Sequence, residues 1–151
     1  MDPHFFSLET PRDLYNKAVR ERERMRSDPH IDNVYNFFVT IRHLPDYVKW
    51  NSKVAQHLIN SLESGDVIKA CRDVGDKAKH LVLTGSPQKP RDDARARVKG
   101  YTFFNAPFGT VPFNSILTVW ELRVDGKVFD VFRLADEALE IWGRFLDENG
   151  L

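Results

Sequence analysis

The sequence predicts an α+β fold, on three observations. Apolar residues recur at helical spacing from about residue 9 to 83, alternating strand-type patterning follows from about residue 96, and helical spacing returns near the end. The expected order is a bundle of about four helices, a small antiparallel sheet of about three strands, and a last helix packed on the sheet or the bundle. A chain of 151 residues, 42% apolar and 12% aromatic, is enough for one packed core, so residues 1–151 are read as a single domain.

Thr10, Pro11 and Asp13 write a capping-box helix start with proline at the first helical position, and a charged helix then runs to about Asp28, before Pro29. Its apolar stripe, Leu14, Ala18 and Met25, is thin. Arg12, Lys17, Arg20, Arg22, Arg24 and Arg26 outnumber Asp13, Glu21 and Glu23, which suits a solvated face or a phosphate contact. In "IDNVYNFFVTIRHLPDYVKW", Val34, Phe37, Phe38, Ile41, Leu44 and Val48 form a continuous core stripe, with Asn36, Thr40, His43 and Tyr47 across from it. Pro45 removes the amide that would bond the Ile41 carbonyl, so this helix is expected to kink or end there. That puts His43 near a break and Asp46 and Trp50 just past it.

A third helix is expected from a Ser52 cap, carrying Val54, Leu58 and Leu62 and stopping at Gly65. A fourth starts near Asp66, with Val67, Cys71, Val74, Ala78 and Leu81 toward the core and Lys69, Asp73, Asp76 and His80 on another face. Gly75 costs about 1 kcal/mol relative to alanine in a helix, which predicts the close approach of a neighbouring backbone or a ligand. Residues of about 84–95 read as a mobile loop; with Arg97 and Lys99 they carry a second basic patch. "ARVKGYTFF" reads as one strand. "SILTVWELRV" and "KVFDVFRL" flank Asp125-Gly126, the pair that favours a two-residue hairpin, so the hairpin and terminal helix occupy about 96–150.

In that hairpin register Trp120 faces Val131, Leu122 faces Phe129 and Glu121 faces Asp130. Directly opposed carboxylates are destabilising, so something positive should sit nearby: Arg97 or Lys99 on a third strand, Arg123 diagonally, or a metal ion. The last helix, from about Ala135 to Glu148, should bury Ala138, Ile141, Trp142, Phe145 and Leu146 and end at Asn149-Gly150.

Lys plus Arg and Asp plus Glu both number 22, so no global field pulls the chain onto nucleic acid or an anionic membrane, and any such contact must be local. Cys71 is the single cysteine, which excludes an internal disulfide and a Cys-rich zinc cluster and suits a small core residue. "MDPHFFSLET" has no signal-peptide pattern and no segment reaches the length of a membrane span, so a cytoplasmic location is expected. There is no internal repeat, nucleotide-binding glycine loop, nucleophile elbow or zinc motif, and no cofactor is expected.

The run "VYNFFVTIRHLPDYVKW", followed by "IKACRDVGDKAKHLVL" and a terminal "EIWGRFL", resembles a family of uncharacterised bacterial and phage proteins with the pattern "FFxTxxHLxDW…CRDxxNxxKH". His43, Leu44 and Asp46 match its first block; Cys71, Arg72, Asp73, Lys79 and His80 match its second. Asp76 stands where asparagine is common and Tyr47 where tryptophan is common. The second block more distantly resembles the Arg…His signature of HEPN domains, helical bundles that often act as metal-independent ribonucleases and often dimerise. The usual separation is four to six residues, whereas seven lie between Arg72 and His80, which puts them about 80° apart around a helix. The resemblance implies RNA as a partner, His80 as general acid or base on a ribose 2′-hydroxyl, and Arg72 as the stabiliser of phosphoryl charge.

If the second and fourth helices pack antiparallel, His43 and Asp46 can face Arg72, Asp73, Asp76 and His80. Three readings follow. In an RNA-cleaving toxin or defence component, Arg72 and His80 act with help from His43 or Asp73, while Asp46 and Asp76 bind. A divalent metal would instead gather His43, His80 and one or two carboxylates. In the third reading Arg72–Asp76 and Asp76–His80 are i, i+4 surface pairs and His43 is a satisfied helix-end histidine; His4, His30 and His57 show no partner pattern. The alternative function is then a homodimerising or protein-binding module, using the crowded aromatics of "YTFFNAPFGTVPF" as an apolar surface.

Overall fold

A computed structural model describes residues 6–51, 53–79, 95–102, 116–124 and 126–151. Five helices and three strands follow in the order α1 (Pro11–Ser27), α2 (Ile31–Asn51), α3 (Gln56–Ser64), α4 (Asp66–Lys79), β1 (Arg95–Thr102), β2 (Ile116–Val124), β3 (Lys127–Asp130) and α5 (Val131–Glu148). The α+β class is as expected. No helix among the described residues is long and apolar enough to cross a membrane.

α1 starts as the sequence dictates. The Thr10 hydroxyl accepts from the Asp13 amide, Asp13 accepts from the Thr10 amide, and Pro11 occupies the first turn. The hydrogen bonds from Thr10 favour the charged carboxylate and hold the Asp13 pKa below its ordinary value. Of the basic residues of this helix, Arg20, Arg24 and Arg26 are exposed, as a solvated face requires, whereas Arg12 and Arg22 reach across to another helix. Arg12 donates to Asp147 and to the Leu151 oxygen, and Arg22 grips both oxygens of Asp136 at 2.7 and 2.8 Å, so α1 is tied to α5. Glu21, 3% exposed, accepts from Lys17 and Arg24 at 2.9 and 2.8 Å. Burial works against its charge, but the bonds from the two cations outweigh that and keep its pKa below the usual glutamate value.

α2 buries Val34, Phe37, Phe38, Ile41, Leu44 and Val48, the whole expected stripe. It does not end at Pro45 but runs through it to Asn51. The lost hydrogen bond is tolerated because Leu44, Pro45 and Val48 are all buried, so packing holds this turn in place. α1 packs on α2, α2 on α4, α4 on α5 and α5 on α1, which closes a ring of four helices. α3 leans on α4 outside that ring.

α3 differs from expectation. It begins at Gln56 behind Ala55, which provides no side-chain cap, and its buried residue is Ile59. Val54 precedes the helix and Leu58 is 41% exposed; Ser52 lies outside the described residues. The third helix stops at Gly65 as expected. α4 keeps its expected core residues, with Cys71 buried and Val67 and Val74 packed against the core, but is covered beyond that face. Ile68, Ala70, Cys71 and Asp73 are buried, while Val67, Val74 and Ala78 are only half-buried, because α2, α3 and α5 surround this helix.

Gly75 is where α4 meets α2. A Cβ there would lie 2.6 Å from the Arg42 Cβ and 2.9 Å from the Phe38 carbonyl oxygen, the close backbone approach its place in a helix implied. The sheet has the order β1-β2-β3, antiparallel throughout. Leu122 pairs with Phe129 and Glu121 with Asp130, and Gly126 takes φ +74° in the two-residue turn. Arg97 stands opposite Glu121 on β1, one of the cation positions expected there.

The strand expected from Lys127 to Leu134 is half that length. The Asp130 carboxylate accepts from the Arg133 amide at 2.8 Å and caps α5, which starts at Val131. Val131, Leu134, Ala135 and Ala138 are then a buried helical stripe, and burying it outweighs the strand preference of "VF". Trp120 consequently has no strand partner at Val131 and packs edge-on against Phe132, ring centroids 6.3 Å apart. α5 lies against β2 and β3 as well as α1 and α4. It ends as expected: Leu151 N–H bonds the Leu146 carbonyl, Gly150 N–H that of Asp147, and Gly150 takes φ +66°.

Candidate functional site

The antiparallel approach of α2 and α4 brings part of the predicted constellation together. Arg42 Nε donates to Asp76 Oδ1 at 2.7 Å across the helix interface, both side chains about three-quarters covered. Arg72 Nε lies 3.4 Å from Oδ1 of its neighbour Asp73, which is 3% exposed. His43 Nδ1 lies 3.6 Å from Asp46 Oδ2 on α2, and both are substantially exposed. His80, most of "YTFFNAPFGTVPF" and, apart from Arg95, the stretch of about 84–95 read from the sequence as a mobile loop lie outside the described residues.

Two expectations change here. One of the three readings paired Asp76 along α4 with Arg72, yet its cation comes from α2. Asp73 was expected on a polar face and is instead buried, so "CRDVGDKAKH" does not present a uniformly solvated stripe. Arg42 is the residue the sequence reading passed over. It occupies the turn after Phe38, opposite Gly75, and the missing Cβ is what lets its side chain cross. The signal was present in the pairing of a helical glycine with an arginine on the facing helix, but the facing register is not readable from one helix.

Beside these pairs is a closed gap of about 10 Å³, lined by Ile41, Arg42, Pro45, Glu63, Ile68, Cys71, Arg72 and Trp142. It is at the lower limit for one water molecule and admits no substrate. Burial, with a smaller contribution from Glu137, pushes the Cys71 thiol well above its ordinary pKa, so it is not a nucleophile at neutral pH. Among the described residues no group of three His, Cys, Asp or Glu side chains is placed to hold a metal ion.

A larger concavity shares Ile68 with that gap. Leu58, Ser61, Leu62 and Gly65 of the α3 end, Asp66, Val67 and Ile68 of the α4 start, and Ile141, Phe145, Glu148 and Asn149 of α5 enclose a groove of about 610 Å³. Its floor is apolar. Leu62, Val67 and Ile141, assigned by spacing to helix core faces, are only half-buried and open onto it. Asp66 is paired with Lys127 of β3. The groove is within the size range of ligand and peptide sites, whereas the gap between α2 and α4 is far below it.

Against protein-family models, curated proteins and solved structures, the chain finds no match.

Proposed function

We propose that the chain is a non-enzymatic protein-binding module, and that the Arg42–Asp76 ion pair between α2 and α4 holds its frame rather than carries chemistry. The observation behind this reading is the contrast between the two sites. The gap that Arg42 and Arg72 line is too small for a substrate, whereas the apolar groove of about 610 Å³ is open and large enough for a bound segment. A module of this kind needs a stable frame and an apolar surface rimmed by polar groups.

A second reading has one observation in its favour. The buried Asp73 carboxylate orients the Arg72 guanidinium at the edge of α4, as a positioned phosphate-binding arginine requires, and the resemblance to HEPN domains would pair it with His80. Incubating the purified protein, Arg72→Ala and His80→Ala with mixed cellular RNA, with and without a chelator, separates the two. The module reading expects RNA to survive under every condition. Chelator-resistant cleavage that disappears in both variants while they stay folded would reverse the order of the readings.

A further inference from the structure

Resting on the module reading, we infer that the groove between α3, α4 and α5 takes an amphipathic helix of a partner protein whose flanks carry Lys or Arg. The apolar part of the argument is the exposed Leu58 at the lip and Leu62, Ile141 and Phe145 within, a surface built from three helices into which side chains spaced at i, i+3 or i+4 and i+7 fit. The charge part is independent. Asp66 and Glu148 line the groove, and no lysine, arginine or histidine does among the described residues.

Two helix C-termini also converge there. α3 and α5 both end at the groove, and neither has a basic residue in its last turn. Helix ends of this polarity carry partial negative charge and ordinarily attract cations. Glu148 adds a carboxylate to the end of α5, where the helix dipole already disfavours it. Asp66 is matched by Lys127, Glu63 in the last turn of α3 by Lys49, and Asp147 and the Leu151 oxygen at the end of α5 by Arg12, which leaves Glu148 as the carboxylate of the lining without a cation among the described residues. A partner helix with basic flanks supplies the missing charge and its apolar face covers the floor.

The test is fluorescence anisotropy with a synthetic Leu/Lys amphipathic helix of about 14 residues, a length at which isolated helices become stable. Its counterpart with Glu at every Lys and a scrambled Leu/Lys sequence serve as comparisons. The full chain should bind the Leu/Lys helix about tenfold or more tightly than either comparison peptide, with affinity falling as salt rises. Leu58→Lys, at an exposed position, should weaken binding about tenfold with the circular dichroism unchanged. Glu148→Lys should narrow the preference between the Lys and Glu peptides.

Equal binding of the Lys and Glu helices, both lost in Leu58→Lys, would overturn the basic partner while leaving the module reading in place. Binding of neither helix, or binding indifferent to both substitutions, would overturn the groove assignment. A dimer in sedimentation equilibrium that dissociates in Leu58→Lys would also overturn it, because the occupant would be a second copy. Arg72-dependent RNA cleavage would instead defeat the module reading itself.

Discussion

Gly75→Ala puts one methyl group into the contact between α2 and α4. The new Cβ would lie 2.6 Å from the Arg42 Cβ and 2.9 Å from the Phe38 carbonyl oxygen. Neither obstacle is the free end of a side chain, so relief requires the helices to separate and strains the 2.7 Å bond from Arg42 to Asp76. Overpacking of this kind costs up to about 3 kcal/mol, and the gain in helix propensity returns about 1, leaving a net loss of about 2 kcal/mol. For a chain of this length that lowers Tm by about 4–8 °C. Gly143→Ala is the internal comparison: its Cβ would meet the Tyr15 hydroxyl at 2.7 Å, the far end of a side chain. Turning Tyr15 away gives up its bond to the Leu139 carbonyl, about 1 kcal/mol, which the propensity gain roughly offsets. Thermal melts of the two variants beside the parent chain decide it. A Gly75→Ala protein as stable as the parent, or more stable, would refute the helix contact and the frame role assigned to Arg42 and Asp76.

Glu21→Gln should cost about 1–2 kcal/mol at neutral pH, because it removes the charge that Lys17 and Arg24 bind. The Glu21 pKa is lower in the folded state than in the unfolded state, so its contribution is complete above the ordinary glutamate pKa and is lost as pH falls through the lowered folded value. Urea melts should therefore show the gap between parent and variant widest near neutrality and closing below about pH 4. Arg42→Ala and Asp76→Ala, alone and combined, should give a coupling energy of about 1 kcal/mol; purely additive effects would mean the pair contributes nothing. The Cys71 thiol should resist alkylation in the native protein and react fully in denaturant, and mass spectrometry of iodoacetamide-treated samples reads both.

Legibility in the sequence followed locality. The Thr10–Asp13 cap, the α2 stripe, the hairpin connection at Gly126 and the Asn149-Gly150 ending each depend on residues a few positions apart, and each has its expected place in the fold. The errors came where tertiary packing decided. Lys127 to Leu134 reads as one strand, but Asp130 caps a helix and the stripe from Val131 to Ala138 is buried as such. Pro45 reads as a kink or an end, but buried neighbours carry α2 through it. Asp73 reads as part of a polar face, yet it is buried because α2, α3 and α5 all pack on α4. The groove was not legible because Leu58, Leu62 and Ile141 each fit a helix's core spacing; only the placement of three helices leaves them open. The cation opposite Glu121 was anticipated because opposed carboxylates in a hairpin demand one, and Arg97 holds that register.

The central claim is that contacts are made through the groove and not through the Arg72 edge of α4. A photo-crosslinking amino acid placed at Leu58 in one version of the chain and at Arg72 in another, followed by irradiation in living cells, compares the two surfaces directly. The account predicts a discrete protein adduct from Leu58 and none of comparable yield from Arg72. RNA adducts at Arg72, with no protein adduct at Leu58, would contradict it.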